Sequence, residues 1–332
     1  MNADHPDLDL QPGDTLGLFT IRSFIGQGAW GDVFLANHNP TGASVALKVL
    51  PPSLSTDVYA MESFEQEAGI TCKLKHPHIV SGVGSGQDRG HNFLALRYID
   101  GQLLEDVVER QGAIDERDAA YVIRQLADAV KYAWEEYGII HRDINPANVI
   151  INSEGVPVLI DLGLAQINEH PLSAVQQGLI EGTPNYMSPE QVITPGDIDF
   201  RTDIYALGAT MYFLLTGRFP FGEYDEDDVL DLLRNNSLQL TDPRKYVPEI
   251  TNGCVLLIEH MLARRPFRRH DTWDALIADL QHVEDALSNR IAPIPQEHSQ
   301  LKREGFGSKR GRSITIMQRT PTGSIKKIKP GQ

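Results

Sequence analysis

The most constraining stretch of this chain is a short polar run, residues 141–148, that follows a long helical pattern. It sets Asp143 and Asn148 five residues apart, and Asp161 follows thirteen residues later at the end of an apolar run. Asp143 can accept a proton, and Asn148 and Asp161 carry the oxygen atoms that a hard cation prefers. Taken singly, each residue is more often a cap or a turn residue. The motifs that precede them in the chain therefore decide the interpretation.

A glycine-rich segment precedes this run, and residues 26–33 fit the pattern G-x-G-x-x-G-x-V. Glycines allow the backbone to approach phosphate oxygens closely, where a Cβ atom would intrude. The same spacing suits a dinucleotide-binding turn, but that motif needs a helix directly after it. Here strand-like residues lie on both sides, which favours a phosphate-binding hairpin.

Lys48 ends the next apolar strand, Val45–Lys48, and in isolation it would be read as a solvent-facing edge residue. Its position after a glycine-rich hairpin favours contact with nucleotide phosphates. Such a Lys needs a carboxylate partner, and the following helical segment offers Glu62, Glu65 and Glu67. Glu67 shares the inward face with Phe64, so it is the predicted partner.

In this order, the motifs resemble those of bacterial Ser/Thr protein kinases over about residues 19–288. The resemblance implies an α+β, protein-kinase-like fold of two lobes. The N-lobe would be a small five-stranded sheet with one helix, and the C-lobe would be larger and mainly helical. The predicted boundaries are a polar leader (1–18), the N-lobe (19–99), the C-lobe (100–288) and a Pro-containing linker with a basic, disordered tail (289–332).

The resemblance also implies ATP and Mg²⁺ as cofactors and a protein Ser/Thr hydroxyl as phosphate acceptor. Asp143 would be the base, Lys48 and Glu67 the phosphate-binding pair, Asn148 and Asp161 the metal ligands. Asn145 and Thr183 are further candidates beside Asp143. The implied nucleotide pocket comprises Ile25, Gly26, Gly28, Gly31, Val33, Ala46, Lys48, Leu96, Arg97, Tyr98, Ile99 and Ile150.

Later matches extend the resemblance. Residues 182–190 are similar to the end of the family's activation segment, with Ser188 in place of the usual Ala. Asp203 resembles the residue that supports the catalytic loop. Arg269 falls where the family pairs an Arg with the Glu of that segment, here Glu190. The alternative for this pair is two surface charges that contribute little.

Asn145 departs from the family pattern, because the Ser/Thr kinases that the chain resembles usually carry a Lys there. An Asn cannot neutralise charge on the transferred phosphate, so we expect slower transfer with nucleotide binding kept. A nucleotide-binding pseudokinase that acts as a signalling scaffold is the alternative. A small-molecule phosphotransferase is less favoured, because the long segment ending at Glu190 is typical of a peptide-binding platform.

Composition indicates the compartment and the partners. Two cysteines exclude a disulfide framework, and with no signal peptide or membrane-length apolar run they predict a cytoplasmic protein. Residues 300–332 carry nine Lys/Arg against Glu304, a net +8 that leaves about −23 for the rest of a chain at −15. The acidic body argues against nucleic acid as substrate. The basic tail could remain a solvated end, recruit an anionic partner, or dock on the chain's own acidic body.

Regulation also departs from the usual pattern. Arg142 would supply the basic pocket for an activation-loop phosphate, yet residues 164–181 contain one hydroxyl residue, Ser173, and no Lys or Arg. We expect activity to depend only weakly on phosphorylation of this loop.

Overall fold

An antiparallel sheet and one helix build the first lobe of the computed structural model. The structure describes residues 10–28, 31–168, 179–235, 237–288, 315–319 and 325–328. The first-lobe elements are β1 (Thr15–Leu16), β2 (Phe19–Gly28), β3 (Gly31–His38), β4 (Ser44–Leu50), α1 (Val58–Lys73), β5 (Gly82–Asp88) and β6 (His91–Arg97). The strands form one six-stranded sheet in the spatial order β1-β2-β3-β4-β6-β5.

Helix α1 packs against this sheet through an apolar face. It begins at Asp57, whose side chain accepts a hydrogen bond from the Ala60 amide and so satisfies one of the unpaired N–H groups of the first turn. Phe64 and Ala68 are buried in a cluster with Leu94 and Leu96 of β6. This packing fixes which residues of the helix point toward the sheet.

The second lobe is mainly helical and is centred on a helix that is buried on all sides. That helix is α5, and its residues from Thr202 to Leu215 are all buried. The lobe comprises β7 (Gly101–Leu103), α2 (Leu104–Gln111), α3 (Glu116–Tyr137), β8 (Ile139–Ile140), β9 (Val149–Asn152), β10 (Pro157–Leu159), β11 (Gln166–Ile167), β12 (Leu179–Gly182), α4 (Pro189–Ile193), α5 (Arg201–Thr216), α6 (Glu226–Asn235), α7 (Asn252–Met261) and α8 (Trp273–Ser288).

Short strands at the top of this lobe position the polar run. A three-stranded sheet has the order β10-β9-β7, and β11 pairs with β8. The polar run lies between β8 and β9, and a 3₁₀ turn over Pro146–Asn148 connects it to β9. Asn145 starts that turn, because its side chain accepts a hydrogen bond from the Ala147 amide.

The two-lobed α+β fold is confirmed, with one difference in the first lobe. Five strands were predicted, and the sheet has a sixth, the two-residue β1, which pairs with β2. Leu16 of this strand is fully buried with Phe19 and Phe93. The last residues of the predicted polar leader therefore belong to the N-lobe, because a short apolar strand completes its core.

The prediction of a disordered tail is wrong for two segments of it. Residues Thr315–Arg319 form β13 and Ile325–Ile328 form β14, and both belong to a sheet of order β12-β13-β14. Composition did not predict these strands, because low hydrophobicity shows only that the tail cannot form a hydrophobic core by itself. A strand edge elsewhere in the protein can supply the missing backbone partners.

Candidate active site

Lys48 and Glu67 form a buried ion pair across the first lobe. The Lys48 Nζ atom lies 2.8 and 2.6 Å from Oε1 and Oε2 of Glu67, and only 4% of Lys48 and 2% of Glu67 are exposed. Glu62 and Glu65 are exposed, so Glu67 is the one of the three carboxylates that the structure places against Lys48. Burial raises the pKa of Glu67, against the opposing attraction of Lys48.

Strand register places four predicted nucleotide-pocket residues on one face of the sheet. Val33 lies opposite Lys48, and Ala46 lies opposite Leu96. Opposite residues of an antiparallel pair share a face, as do residues two apart along a strand. Lys48 and the apolar side chains of Val33, Ala46 and Leu96 therefore border the same space.

The remaining pocket residues lie at the two ends of this face. Gly26 and Gly28 lie opposite Val33 and Gly31 at the tip of the β2–β3 hairpin. Gly31 has a φ of +149°, and a Cβ atom there would lie 2.0 Å from the Val49 carbonyl oxygen. Ile25 occupies the bulge before Gly26.

The chain crosses to the second lobe at the other end of this face. Arg97 ends β6, and Tyr98 and Ile99 connect it to β7. Ile99 packs with Leu96 in one apolar cluster. Ile150 lies opposite Leu103 in the neighbouring sheet. The predicted crossing segment and floor residue are thus adjacent in the fold.

Asp143 is buried and held by hydrogen bonds to both carboxylate oxygens. Its Oδ1 accepts from the Thr183 amide at 3.0 Å and from the Thr183 hydroxyl at 2.8 Å. Its Oδ2 accepts from Nδ2 of Asn148 at 2.9 Å. Burial raises the pKa of Asp143, and the hydrogen bonds from Thr183 and Asn148 oppose that rise. The carboxylate therefore has a single defined orientation.

Asn145 bridges Asp143 and Thr183. Its Nδ2 atom donates to the Thr183 hydroxyl at 3.1 Å and to the Asp143 carbonyl oxygen at 3.2 Å. Its Oδ1 accepts from the Ala147 amide at 3.0 Å. Two of these contacts lie within the loop, and the third ties the loop to Thr183 of the activation segment. Asn145 thus holds the conformation of the loop. The departure from the family pattern predicted only a missing charge at this position and not this structural role.

Asp161 lies close to Lys48 and is linked through the backbone to Asn148. Its Oδ1 is 3.8 Å from Nζ of Lys48 and accepts a hydrogen bond from the Gly163 amide at 2.9 Å. The Ile160 amide, one residue earlier, donates to the Asn148 carbonyl oxygen at 2.9 Å. Leu162 is buried in a cluster with Ile70 of α1 and with Leu74, the residue that follows this helix. The two predicted metal ligands are therefore connected through adjacent backbone.

Asp203 supports the polar run from below. Its carboxylate accepts hydrogen bonds from the amides of His141 and Arg142 at 2.8 and 2.9 Å. Arg142 adopts a φ of +70°, a conformation that costs energy for a residue with a side chain. The two charge-assisted hydrogen bonds that the buried Asp203 carboxylate accepts stabilise this conformation. Burial also lowers the pKa of His141 to about 4, which keeps this histidine neutral.

Two buried polar residues in this region were not predicted. Glu181 is 3% exposed, and its Oε2 lies 3.8 Å from a guanidinium nitrogen of Arg142. Gln191 donates through Nε2 to the Arg142 carbonyl oxygen at 2.8 Å. A lone carboxylate in the apolar run Leu179–Gly182 was the available signal for Glu181. Ser173, the predicted loop hydroxyl, lies outside the described residues.

The pH dependence of stability tests the environment of Glu181. Burial raises the pKa of Glu181 to about 8 from 4.5, because the contact to Arg142 is too long to offset desolvation. The folded state therefore holds a proton that the unfolded state releases, so stability falls as pH rises from the unfolded pKa to about 8. We expect E181Q to remove about 2 kcal/mol of the loss in unfolding free energy between pH 6 and pH 8. Urea titrations at both values measure it, and parallel slopes in wild type and variant would contradict it.

Glu190 and Arg269 form a second buried ion pair, below the activation segment. Two guanidinium nitrogens of Arg269 lie 2.5 and 2.8 Å from the two carboxylate oxygens of Glu190. The Arg269 side chain is fully buried and that of Glu190 is 9% exposed. The surface alternative for this pair is wrong. The pair anchors residues 182–190, including Thr183, to the helical lobe.

Comparison with known proteins agrees with this geometry. Residues 19–280 match the protein kinase domain family. The chain is 30% identical over 317 residues to the serine/threonine-protein kinase pkn3 of Myxococcus xanthus, covering 88% of this chain and 57% of that protein. It is 28% identical to the serine/threonine-protein kinase PrkC of Bacillus subtilis, covering 86% of this chain and 44% of that protein. The chain thus spans about half the length of these relatives.

Solved structures support the fold. The PknI kinase domain of Mycobacterium tuberculosis superposes with a TM-score of 0.65 at 24% identity, covering 82% of this chain and 99% of that one. No helix in the part of the chain that the structure describes is long and apolar enough to cross a membrane.

Proposed function

The chain belongs to the protein kinase family, and we propose that it transfers the γ-phosphoryl group of Mg-ATP to a Ser or Thr hydroxyl of a protein. The observation that carries the proposal is the buried Asp143 carboxylate, which Thr183 and Asn148 orient from both sides. A base held in one orientation can accept a proton from a hydroxyl that docks beside it. The curated relatives that the chain matches are named serine/threonine-protein kinases, which supports the same reaction class.

The residues present fit ATP and a divalent cation. Asn148 commits Nδ2 to Asp143, so its Oδ1 is the atom that would bind a cation. Asp161 would contribute its carboxylate, and both are the oxygen donors that Mg²⁺ prefers. Glu67 holds Lys48 beside Asp161, where its charge would meet the phosphates. Mg²⁺ and Lys48 together would offset the negative charge of the transferred group.

The contacts of Thr183 support a protein Ser or Thr hydroxyl as the phosphate acceptor. It donates to Asp143 and accepts from Asn145, so the activation segment is attached to the base itself. A protein substrate that lies along this segment would present its hydroxyl next to Asp143. The position of the proton acceptor Asp143 is thereby coupled to the position of the activation segment on which the peptide would lie.

A transfer assay tests the proposal. Wild-type protein with Mg²⁺ and γ-labelled ATP should label itself or a generic basic protein, and the label should be acid-stable as expected for phosphoserine and phosphothreonine. Equal labelling by wild type and by D143N would sink the enzyme assignment. Measuring nucleotide binding in parallel separates a weak kinase from a protein that does not bind ATP.

Asn145 determines the rate within this proposal. Because the Asn145 side chain is neutral, we expect N145K to raise kcat by about tenfold with little change in the KM for ATP, since the added charge acts mainly in the transition state. N145A, which removes the bridge to Thr183, should lower kcat instead. Steady-state kinetics of both variants distinguish charge from bridging. Unchanged kcat in N145K would show that charge at this position does not limit transfer.

The second candidate function is a nucleotide-binding pseudokinase that serves as a signalling scaffold. Asn145 is the observation that favours it, because it lacks the charge on which phosphoryl transfer relies. This candidate predicts nucleotide binding with no transfer by wild type. The intact set of Lys48, Glu67 and Asp161 favours the enzyme over it.

A further inference from the structure

The last strands of the chain lie on the activation segment. Strand β13 is antiparallel to β12, with Ile316 opposite Glu181 and Thr315 opposite Gly182. Strand β14 adds to the outer edge of β13, with Ile328 opposite Ile316. The tail thus forms a two-stranded hairpin that uses β12 as its template.

The pairing brings the tail close to the candidate base, because β12 ends next to Thr183. Gly182, the last residue of β12, precedes Thr183, whose amide and hydroxyl both donate to Asp143. A chain paired along β12 therefore ends its pairing one residue from the group that binds the candidate base. An extended protein substrate that lay along the activation segment to deliver a hydroxyl to Asp143 would meet the same strand edge. Backbone pairing to a strand edge is a general mode of peptide recognition.

Length and charge agree with the chain's own tail as the occupant. Residues 289–314 separate the end of α8 from β13, and 26 residues can span up to about 85 Å when extended. Residues 300–332 carry a net charge of +8 opposite a strongly acidic body. Opposite charges favour encounter of the two and raise the local concentration of the tail.

We propose that the edge of β12 is a docking site for extended basic peptides and that residues 315–328 occupy it in cis, in competition with protein substrates. The inference rests on the proposed function only where it names the competing substrate. A tethered segment has an effective concentration in the millimolar range. A tail that binds with a Kd of about 0.1 mM would therefore raise the apparent KM for a peptide substrate by about tenfold.

Proline substitution in β13 tests the docking in the full chain. The double variant I316P/M317P removes two backbone N–H groups and cannot continue the ladder. The matched control is S308P, which adds a proline to the tail outside both strands. Hydrogen exchange of the amides of Leu179–Gly182 should be at least about tenfold faster in the double variant than in wild type or S308P. Equal exchange in all three proteins overturns the proposal and leaves the tail available to an anionic partner.

Kinetics then tests the competition. We expect the double variant to show about a tenfold lower KM for a basic peptide with the same kcat, and S308P to match wild type. A synthetic peptide of residues 311–330 should inhibit the double variant competitively against the peptide substrate. An unchanged KM with faster exchange would show that the tail docks without blocking substrate, which overturns the competition. Absence of transfer in every protein would defeat the proposed function, while hydrogen exchange still decides the docking.

Discussion

Replacing Asp143 by Asn is expected to lower kcat for phosphoryl transfer by about a thousandfold, within the range for loss of a positioned base. The substitution keeps the shape of the side chain, and one oxygen remains to accept from Thr183. It removes the group that would take the proton from the substrate hydroxyl. Single-turnover transfer of labelled phosphate measures the effect without interference from product release.

The nucleotide affinity of D143N separates chemistry from folding. Lys48, Glu67 and Asp161 hold the phosphate side of the site through their own contacts, and Asn148 keeps its hydrogen bond to the backbone carbonyl of residue 143 in D143N. We therefore expect the Kd for Mg-ATP to stay within about twofold. The matched control is D197N, which changes an exposed Asp. Transfer by D143N within tenfold of wild type would rule out Asp143 as the base.

Replacing Glu190 by Gln is expected to destabilise the fold by about 3–5 kcal/mol, because it leaves a buried guanidinium without a counter-charge. The Arg269 guanidinium is shielded from solvent. Its side chain is fully buried, and its Cζ atom lies 4.9 Å from the centroid of the Tyr205 ring. Urea unfolding measures the loss of stability.

An exposed pair provides the control for E190Q. Arg218 and Glu223 lie 3.7 Å apart with side chains 56% and 59% exposed, so E223Q should cost less than about 1 kcal/mol. Similar losses for E190Q and E223Q would mean that the buried pair contributes no more than a surface one. Reduced transfer by E190Q at temperatures where it remains folded would show that the pair also positions Thr183.

Much of the site could be predicted because local motifs carry it. Asp143 and Asn148 share one loop, and helix period favoured Glu67 over Glu65 as the partner of Lys48, in agreement with the family resemblance. The sixth strand was missed because two residues provide no period to detect. Glu181 was missed because its place in a short apolar run gives only a weak local signal, and its partner Arg142 lies 39 positions earlier in the chain.

Asn145 illustrates the limit of reading a departure from a motif. Sequence comparison shows only the charge that is absent. The fold shows that its amide joins Asp143 to Thr183, which lies 38 residues after Asn145 in the chain, and caps the turn that holds Asn148. A contact of that kind depends on where the activation segment returns, which no local pattern specifies.

The sequence by itself determined the order of the chemistry-bearing groups and their residue types, because these are written in local motifs. The resemblance that those motifs carry implied the two-lobed architecture. Only the tertiary structure decided which partners those groups meet. Lys48 and Asp161 come within 3.8 Å, and the tail strand β13 pairs with β12 beside the candidate base. Such contacts join residues more than 100 positions apart, so they follow from the packing of whole elements and from the exposed edge of a strand.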